Sequence, residues 1–209
     1  MRQIDEIMRI SPVIPVLVID QLEHAVPVAE ALLRGGLRVV EVTLRTPVAL
    51  EALQAIRQAL PELVTGAGSV ITAEDIDRAV AAGAEFLVSP GMSPGLLPAA
   101  KRSPVPFLPG IVTPGEAMWL QEEGFTHLKF FPADAAGGAA MLRSIAGPLP
   151  KLRFCPTGGI NADNASTYLQ LPNVLCVGGS WMVAPELLRA QRWDEIEQRA
   201  AAAVRLGSV

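Results

Sequence analysis

Eight short apolar runs rich in β-branched residues, Ala/Leu-rich helical stretches between them, and a first run followed by no glycine predict an α/β fold of the (β/α)8, or TIM, barrel class. The 209 residues suit one compact barrel, a single domain over 1–209 with a short N-terminal helix ahead of it. The rival is an open doubly wound sheet. It calls for a glycine-rich dinucleotide fingerprint after strand one, where this chain reads 20-DQLEHA-25.

The elements follow in order. The opening 1-MRQIDEIMRISP-12 carries acids and lacks a long apolar stretch, so it reads as an amphipathic helix and not a signal peptide. The strand candidates are 13-VIPVLVI-19, 39-VVEVTL-44, 63-LVTGAG-68, 85-EFLVSP-90, 105-VPFLPG-110, 127-HLKFFP-132, 152-LRFCPTGG-159 and 174-VLCVGGS-180. Helical patterns fill the gaps, among them 22-LEHAVPVAEALLRGG-36, 47-PVALEALQAIRQAL-60 and 72-TAEDIDRAVAAGA-84. Thr46 followed by Pro47 reads as a cap with proline at the first helical position. Thr72 with Asp75 reads as a capping box. Gly35-Gly36, Gly83 and Gly124, each just ahead of a strand, read as helix stops.

Composition excludes several functions. Half the residues are apolar and 18% are charged, which is globular and not disordered. A net charge of −4 and no basic run leave no nucleic-acid footprint. No apolar stretch approaches a membrane span. Cys155 and Cys176 lie in apolar runs and read as small core residues of a cytoplasmic protein. His24 and His127 belong to different elements and no Cys/His cluster has ligand spacing, so neither a metal nor a cofactor is expected.

The polar residues inside strands carry the functional signal. Side chains alternate faces with period two. Glu41, Thr43 and Arg45 therefore share the face opposite Val40, Val42 and Leu44 and point to the barrel interior and mouth. Lys129, between Leu128 and Phe130, points inward too. Burial disfavours an ammonium, and the free amine is the form that attacks a carbonyl. A carboxylate nearby can move protons, and a guanidinium fork suits a substrate carboxylate. The same residues also fit a structural ion pair, Glu41 with Lys129 or with Arg45, and parity does not separate the two readings. His127, at the strand start, reads as structural or exposed. The loops 156-PTGGINADN-164 and 177-VGGSWM-182 follow strands seven and eight, where this fold often holds phosphate. Gly158, Gly159 and Gly179 let backbone N–H groups approach an anion, and Ser180 adds a hydroxyl. Simple tight turns are the other reading of these glycines.

Taken together, 41-EVTLRT-46, 66-GAGSV-70, 89-SPG-91, 129-KFFPAD-134, 155-CPTGGI-160 and 178-GGSW-181, with 22-LEHAVPVA-29 near the start, resemble the 2-keto-3-deoxy-6-phosphogluconate (KDPG) aldolase family in order and spacing. The resemblance covers essentially the whole chain. It implies a lysine-dependent aldolase of the Entner–Doudoroff pathway, without cofactor, acting on a phosphorylated keto-sugar acid as a homotrimer. It implies that Lys129 forms a Schiff base with the keto carbon and that Glu41 is the general acid/base, directly or through a water. Arg45 would bind the pyruvate carboxylate, and Ser69 and Thr43 would complete that pocket, with Pro90 and Phe131 lining the site. Gly158, Gly159, Gly179 and Ser180 would receive the phosphate. The family's usual GAGTV reads GAGSV here, so Ser69 keeps the hydroxyl and loses a methyl. Two alternatives stand beside this reading: 4-hydroxy-2-oxoglutarate (KHG) aldolase activity, main or additional, and a non-catalytic phosphosugar-binding barrel.

Overall fold

A computed structural model describes residues 2–207. Nine strands are present among them: β1 (Val13–Leu17), β2 (Val39–Thr43), β3 (Val64–Gly68), β4 (Leu87–Val88), β5 (Phe107–Leu108), β6 (Gly110–Ile111), β7 (His127–Phe130), β8 (Arg153–Pro156) and β9 (Val177–Gly179). Every ladder between them is parallel. They form a six-stranded sheet in the order β5-β4-β3-β2-β1-β9 and a three-stranded sheet in the order β6-β7-β8.

The expected fifth strand is divided. Pro109 stands alone between β5, which pairs with β4, and β6, which pairs with β7. Proline has no N–H to give to a ladder, but its carbonyl accepts from the Lys129 N–H at 2.8 Å. On the other side, the isolated parallel bridges Phe154↔Val174 and Thr157↔Gly178 run between the β8 and β9 segments.

Period-two alternation sorts the strand residues into two cores. Val40, Val42, Leu87, Leu128 and Phe130 pack outward into the large cluster shared with the helices. Ile14, Val39, Val64, Val88, Leu108, Cys155 and Cys176 meet in a second, inner cluster. That cluster draws on both sheets, so the parallel sheets curl toward one another. Ile7 and Met8 of the N-terminal helix (Ile4–Met8) close the inner cluster. His127 at the start of β7 holds this helix, with Nε2 3.0 Å from Asp5 Oδ1. His127 is thus a structural residue.

Of the helix boundaries the sequence marks, one differs from the local signal. Thr72 Oγ accepts from the Asp75 N–H at 3.0 Å while the Asp75 carboxylate accepts from the Thr72 N–H, a complete capping box that opens the helix Ala73–Ala81. Gly36, Gly83 and Gly124 take φ near +95° (94°, 95° and 96°) just past their helices. The N–H that follows each glycine bonds back into the last turn, as Leu37 does to the Leu32 carbonyl at 3.0 Å. The exception is Thr46, which is not a cap. The helix begins at Ala49, and the Thr46 hydroxyl donates instead to the Ile19 carbonyl at 2.6 Å. No helix among the described residues is long and apolar enough to cross a membrane.

Candidate active site

The site lies at the carboxyl ends of the strands, and small residues make room for it. Lys129 sits on β7 between Gly110 of β6 and Cys155 of β8 in register. Its side chain is 4% exposed, and Nζ lies 3.5 Å from Glu41 Oε1, itself on a side chain 5% exposed. Glu41 projects from β2 over β3. A β-carbon on Gly68 would overlap the Glu41 carboxylate, so the glycine of 66-GAGS-69 is the floor on which the acid rests. The Phe131 ring lies 5.3 Å from Lys129 Nζ. The same ring meets Gly158, where an added β-carbon would stand 3.3 Å from it.

Arg45 is exposed at the end of β2, and its Nε donates to Ser69 Oγ at 2.7 Å. Ser69 therefore aims the guanidinium. Ser69 also has φ +58°, in the left-handed region. A β-branched residue is a steric outlier there, so serine in place of the usual threonine keeps the acceptor hydroxyl at a smaller backbone cost.

Lys129, Arg45 and Phe131 line one cavity of about 140 Å³ with Gly158, Gly159, Gly179 and Ser180. Sequence reasoning placed these together, and the fold brings them together. The loop carbonyls of Thr157, Gly158 and Gly159 are all occupied, accepting from the Ala133 N–H, the Asp134 N–H and Asn164 Nδ2 at 2.8, 3.0 and 2.9 Å. The Gly159 N–H donates to nothing among the described residues, and Gly158 and Gly159 have φ +98° and +76°. A loop whose carbonyls are satisfied and which keeps an N–H free can cradle an anion.

Four predicted residues lie outside the cavity lining, among them Ser69, which meets the cavity only through Arg45. Thr43 is fully buried, and its hydroxyl donates to the Leu17 carbonyl at 2.8 Å, tying β2 to β1 instead of facing the cavity. Pro90 stands outside the lining. Its carbonyl presses on Gly110, where any β-carbon would collide with it. Glu41 lies behind Lys129 and reaches the cavity through it.

Val16, Thr157 and Ile160 line the cavity and were not anticipated. Thr157 carried a usable signal, a hydroxyl directly before the glycine pair. A larger concavity of about 370 Å³, bordered by Arg9, Ser166 and Gln170, holds no such set of reactive groups, so size does not locate the chemistry. The thiols stay in the inner core. Hydrogen bonding with Cys155, then burial, pushes Cys176 well above the ordinary thiol value, away from nucleophilic use.

A buried lysine–carboxylate pair, an exposed arginine and a glycine loop around one cavity of a parallel α/β protein are the parts that lysine-dependent aldolase chemistry requires. Comparison narrows the class. The family model described as KDPG and KHG aldolase matches residues 4–199. The 2-dehydro-3-deoxy-phosphogluconate aldolase of Dickeya dadantii is 48% identical over 96% of this chain and 94% of its own. The crystal structure of KDPG aldolase from Legionella pneumophila, with pyruvate captured as a covalent carbinolamine intermediate, superposes with a TM-score of 0.94 at 48% identity, covering 96% of this chain and 97% of that one. That of Zymomonas mobilis ZM4, with 3-phosphoglycerate, superposes with a TM-score of 0.90 at 44% identity, covering 97% and 95%. The chain belongs to the KDPG and KHG aldolase family.

Proposed function

We propose that this chain cleaves 2-dehydro-3-deoxy-6-phospho-D-gluconate to pyruvate and D-glyceraldehyde 3-phosphate through a Schiff base on Lys129. The observation that carries the reading is the buried contact of Lys129 Nζ with Glu41 at 3.5 Å, placed against a cavity whose other wall is the anion cradle. Lys129, as the free amine, attacks the C2 carbonyl. The carbinolamine loses water to give a protonated imine. Glu41, through a bridging water, takes the proton of the C4 hydroxyl, the C3–C4 bond breaks, and its electron pair flows into the iminium to leave an enamine. The phosphorylated aldehyde departs. Glu41 returns the proton to C3 through the same water, and a further water hydrolyses the imine to pyruvate and free Lys129.

Arg45, aimed by Ser69, holds the carboxylate. Gly158, Gly159, Gly179 and Ser180 hold the phosphate. Phe131 presents its ring to Lys129 Nζ, Pro90 buttresses Gly110, and Thr43 acts by locking β1 to β2. Anchoring both ends fixes the scissile bond against the lysine. The assay is pyruvate release from the phosphorylated substrate, with Arg45→Met expected to raise KM at least about tenfold. Unchanged KM would remove Arg45 from the carboxylate site.

KHG aldolase activity is a second reading, because the matching family covers both substrates. The lysine, glutamate and arginine serve either one, and only the far end of the site differs. A non-catalytic phosphosugar-binding barrel would not need all three.

The two curled sheets are proposed to form one closed eight-stranded barrel. Its support is the shared inner core, the single-residue break at Pro109 and the Thr157↔Gly178 bridge. A single domain over 1–209 is supported by a family match that runs through most of the chain. A homotrimer is proposed on the family resemblance, and exposed Ile71 and Met118 offer apolar contact surface. Two free, buried thiols suit a cytoplasmic setting, and the family match supports a place in the Entner–Doudoroff pathway.

A further inference from the structure

The anion cradle is held from behind by the C-terminal helix, through one side chain. Arg199, on the helix Trp193–Arg205, donates from Nη1 to the Trp181 carbonyl at 3.0 Å and from Nη2 to Glu195 Oε1 at 2.7 Å. The other Glu195 oxygen takes Arg192 Nη2 at 3.1 Å, so the guanidinium is oriented from its own helix. Trp181 opens the short 3-10 turn Trp181–Val183, and Ser180 immediately precedes it, its carbonyl accepting from the Val183 N–H at 3.0 Å. The Trp181 indole occupies the space a side chain on Gly179 would need. Two of the four cradle residues therefore lean on Trp181, and the Trp181 carbonyl leans on Arg199.

The helix itself is fixed at a distance from the chemistry. The Gly35 backbone meets Ala200 and Glu197 so closely that no β-carbon fits, and Arg34 Nε bonds Glu197 Oε2 at 2.8 Å. Lys129, Glu41 and Arg45 stand on β7, β2 and the segment after β2, apart from this chain of contacts.

We propose that Arg199 is a positioning residue for phosphate recognition, holding Gly179 and Ser180 in place through the Trp181 carbonyl. The inference rests on the assignment of those two residues to the phosphate. Without the guanidinium, the turn loses its fixed carbonyl and the indole is free to shift over Gly179. The phosphate end of the site loosens while the pyruvate end keeps its geometry.

The experiment compares wild type, Arg199→Met and Arg199→Lys in three assays. They are cleavage of the phosphorylated substrate, cleavage of the non-phosphorylated 4-hydroxy-2-oxoglutarate, and exchange of pyruvate methyl protons with deuterium, which uses only the pyruvate half of the site. Arg199→Met is expected to raise KM for the phosphorylated substrate about tenfold, the effect of one charge-assisted hydrogen bond. Its kcat, KM for the non-phosphorylated substrate and exchange rate are each expected within about twofold of wild type. Arg199→Lys is expected to show a smaller loss, because a lysine can still donate to a carbonyl. Equal losses in all three assays would make Arg199 a merely structural residue. An unchanged KM for the phosphorylated substrate would overturn the proposal. Wild type that exchanges no pyruvate protons would overturn the aldolase reading, and this inference with it.

Discussion

Two residues apart on one face of β7, His127 and Lys129 each meet a carboxylate, and the two pairs do different things. His127 lies 3.0 Å from Asp5 at the start of the strand, where the Asp5 side chain is 42% exposed and also bonded by Arg9 at 2.8 Å. Lys129 meets Glu41 at 3.5 Å with both side chains nearly sealed from solvent. The first pair joins a helix to a strand. The second has no helix to hold and opens onto a cavity with an anion cradle across it. An exposed pair contributes little to stability, whereas a buried pair carries a desolvation cost that packing alone does not require. The geometry of a contact is therefore a poorer guide to its purpose than what surrounds it.

The comparison breaks most sharply at Lys129. Lys129→Met is expected to lower turnover at least about a thousandfold and to cost about 3 kcal/mol of stability, because Glu41 is left buried without a partner. Adding Glu41→Gln is expected to restore most of the stability and none of the activity. Chemical denaturation beside steady-state assays checks both. Recovery of turnover in the double variant would assign the chemistry elsewhere.

Gly68→Ala tests placement and leaves both charges present. The new methyl group would displace the Glu41 carboxylate, and kcat is expected to fall about a hundredfold. The pyruvate adduct on Lys129 is expected to form still. A kcat equal to wild type would show that the glutamate's position is not critical.

The strand-start pair predicts the smallest effect. Arg9 first, and His127 second, hold the Asp5 carboxyl below its ordinary 3.8. The unfolded chain then binds that proton more tightly. The stabilisation is present above about pH 3.8 and is lost as pH falls through the lower folded value. Asp5→Asn is expected to lower Tm by about 2 °C at neutral pH, with the gap to wild type closing in acid and turnover unchanged. A change in kcat would mean that the two ends of β7 are coupled.

Much of this was readable from residue order, for a physical reason. Period-two alternation put Glu41 and Lys129 on the inner face, and the capping box at Thr72 and Asp75 depends only on neighbours three apart. The misreadings depend on distant partners. Thr46 looks like a cap until Ile19 supplies a carbonyl 27 positions away, and Thr43 looks like a pocket residue until Leu17 takes its hydroxyl. The break at Pro109 shows only when β4 and β7 lie on either side of it. Arg199 gave no local sign at all, because its role comes from a turn 18 positions back in the chain. The glycines of 156-PTGG-159 are legible as a turn, whereas Thr157 reaches the cavity wall only because the fold turns that loop inward.

Borohydride trapping with pyruvate tests the central claim most directly. The protein is incubated with pyruvate, reduced, and read by intact and peptide mass. The account predicts a single reduced pyruvyl adduct, on the peptide carrying Lys129. A folded protein with no adduct, or with the adduct on another lysine, would contradict it and leave the Lys129–Glu41 contact a structural ion pair.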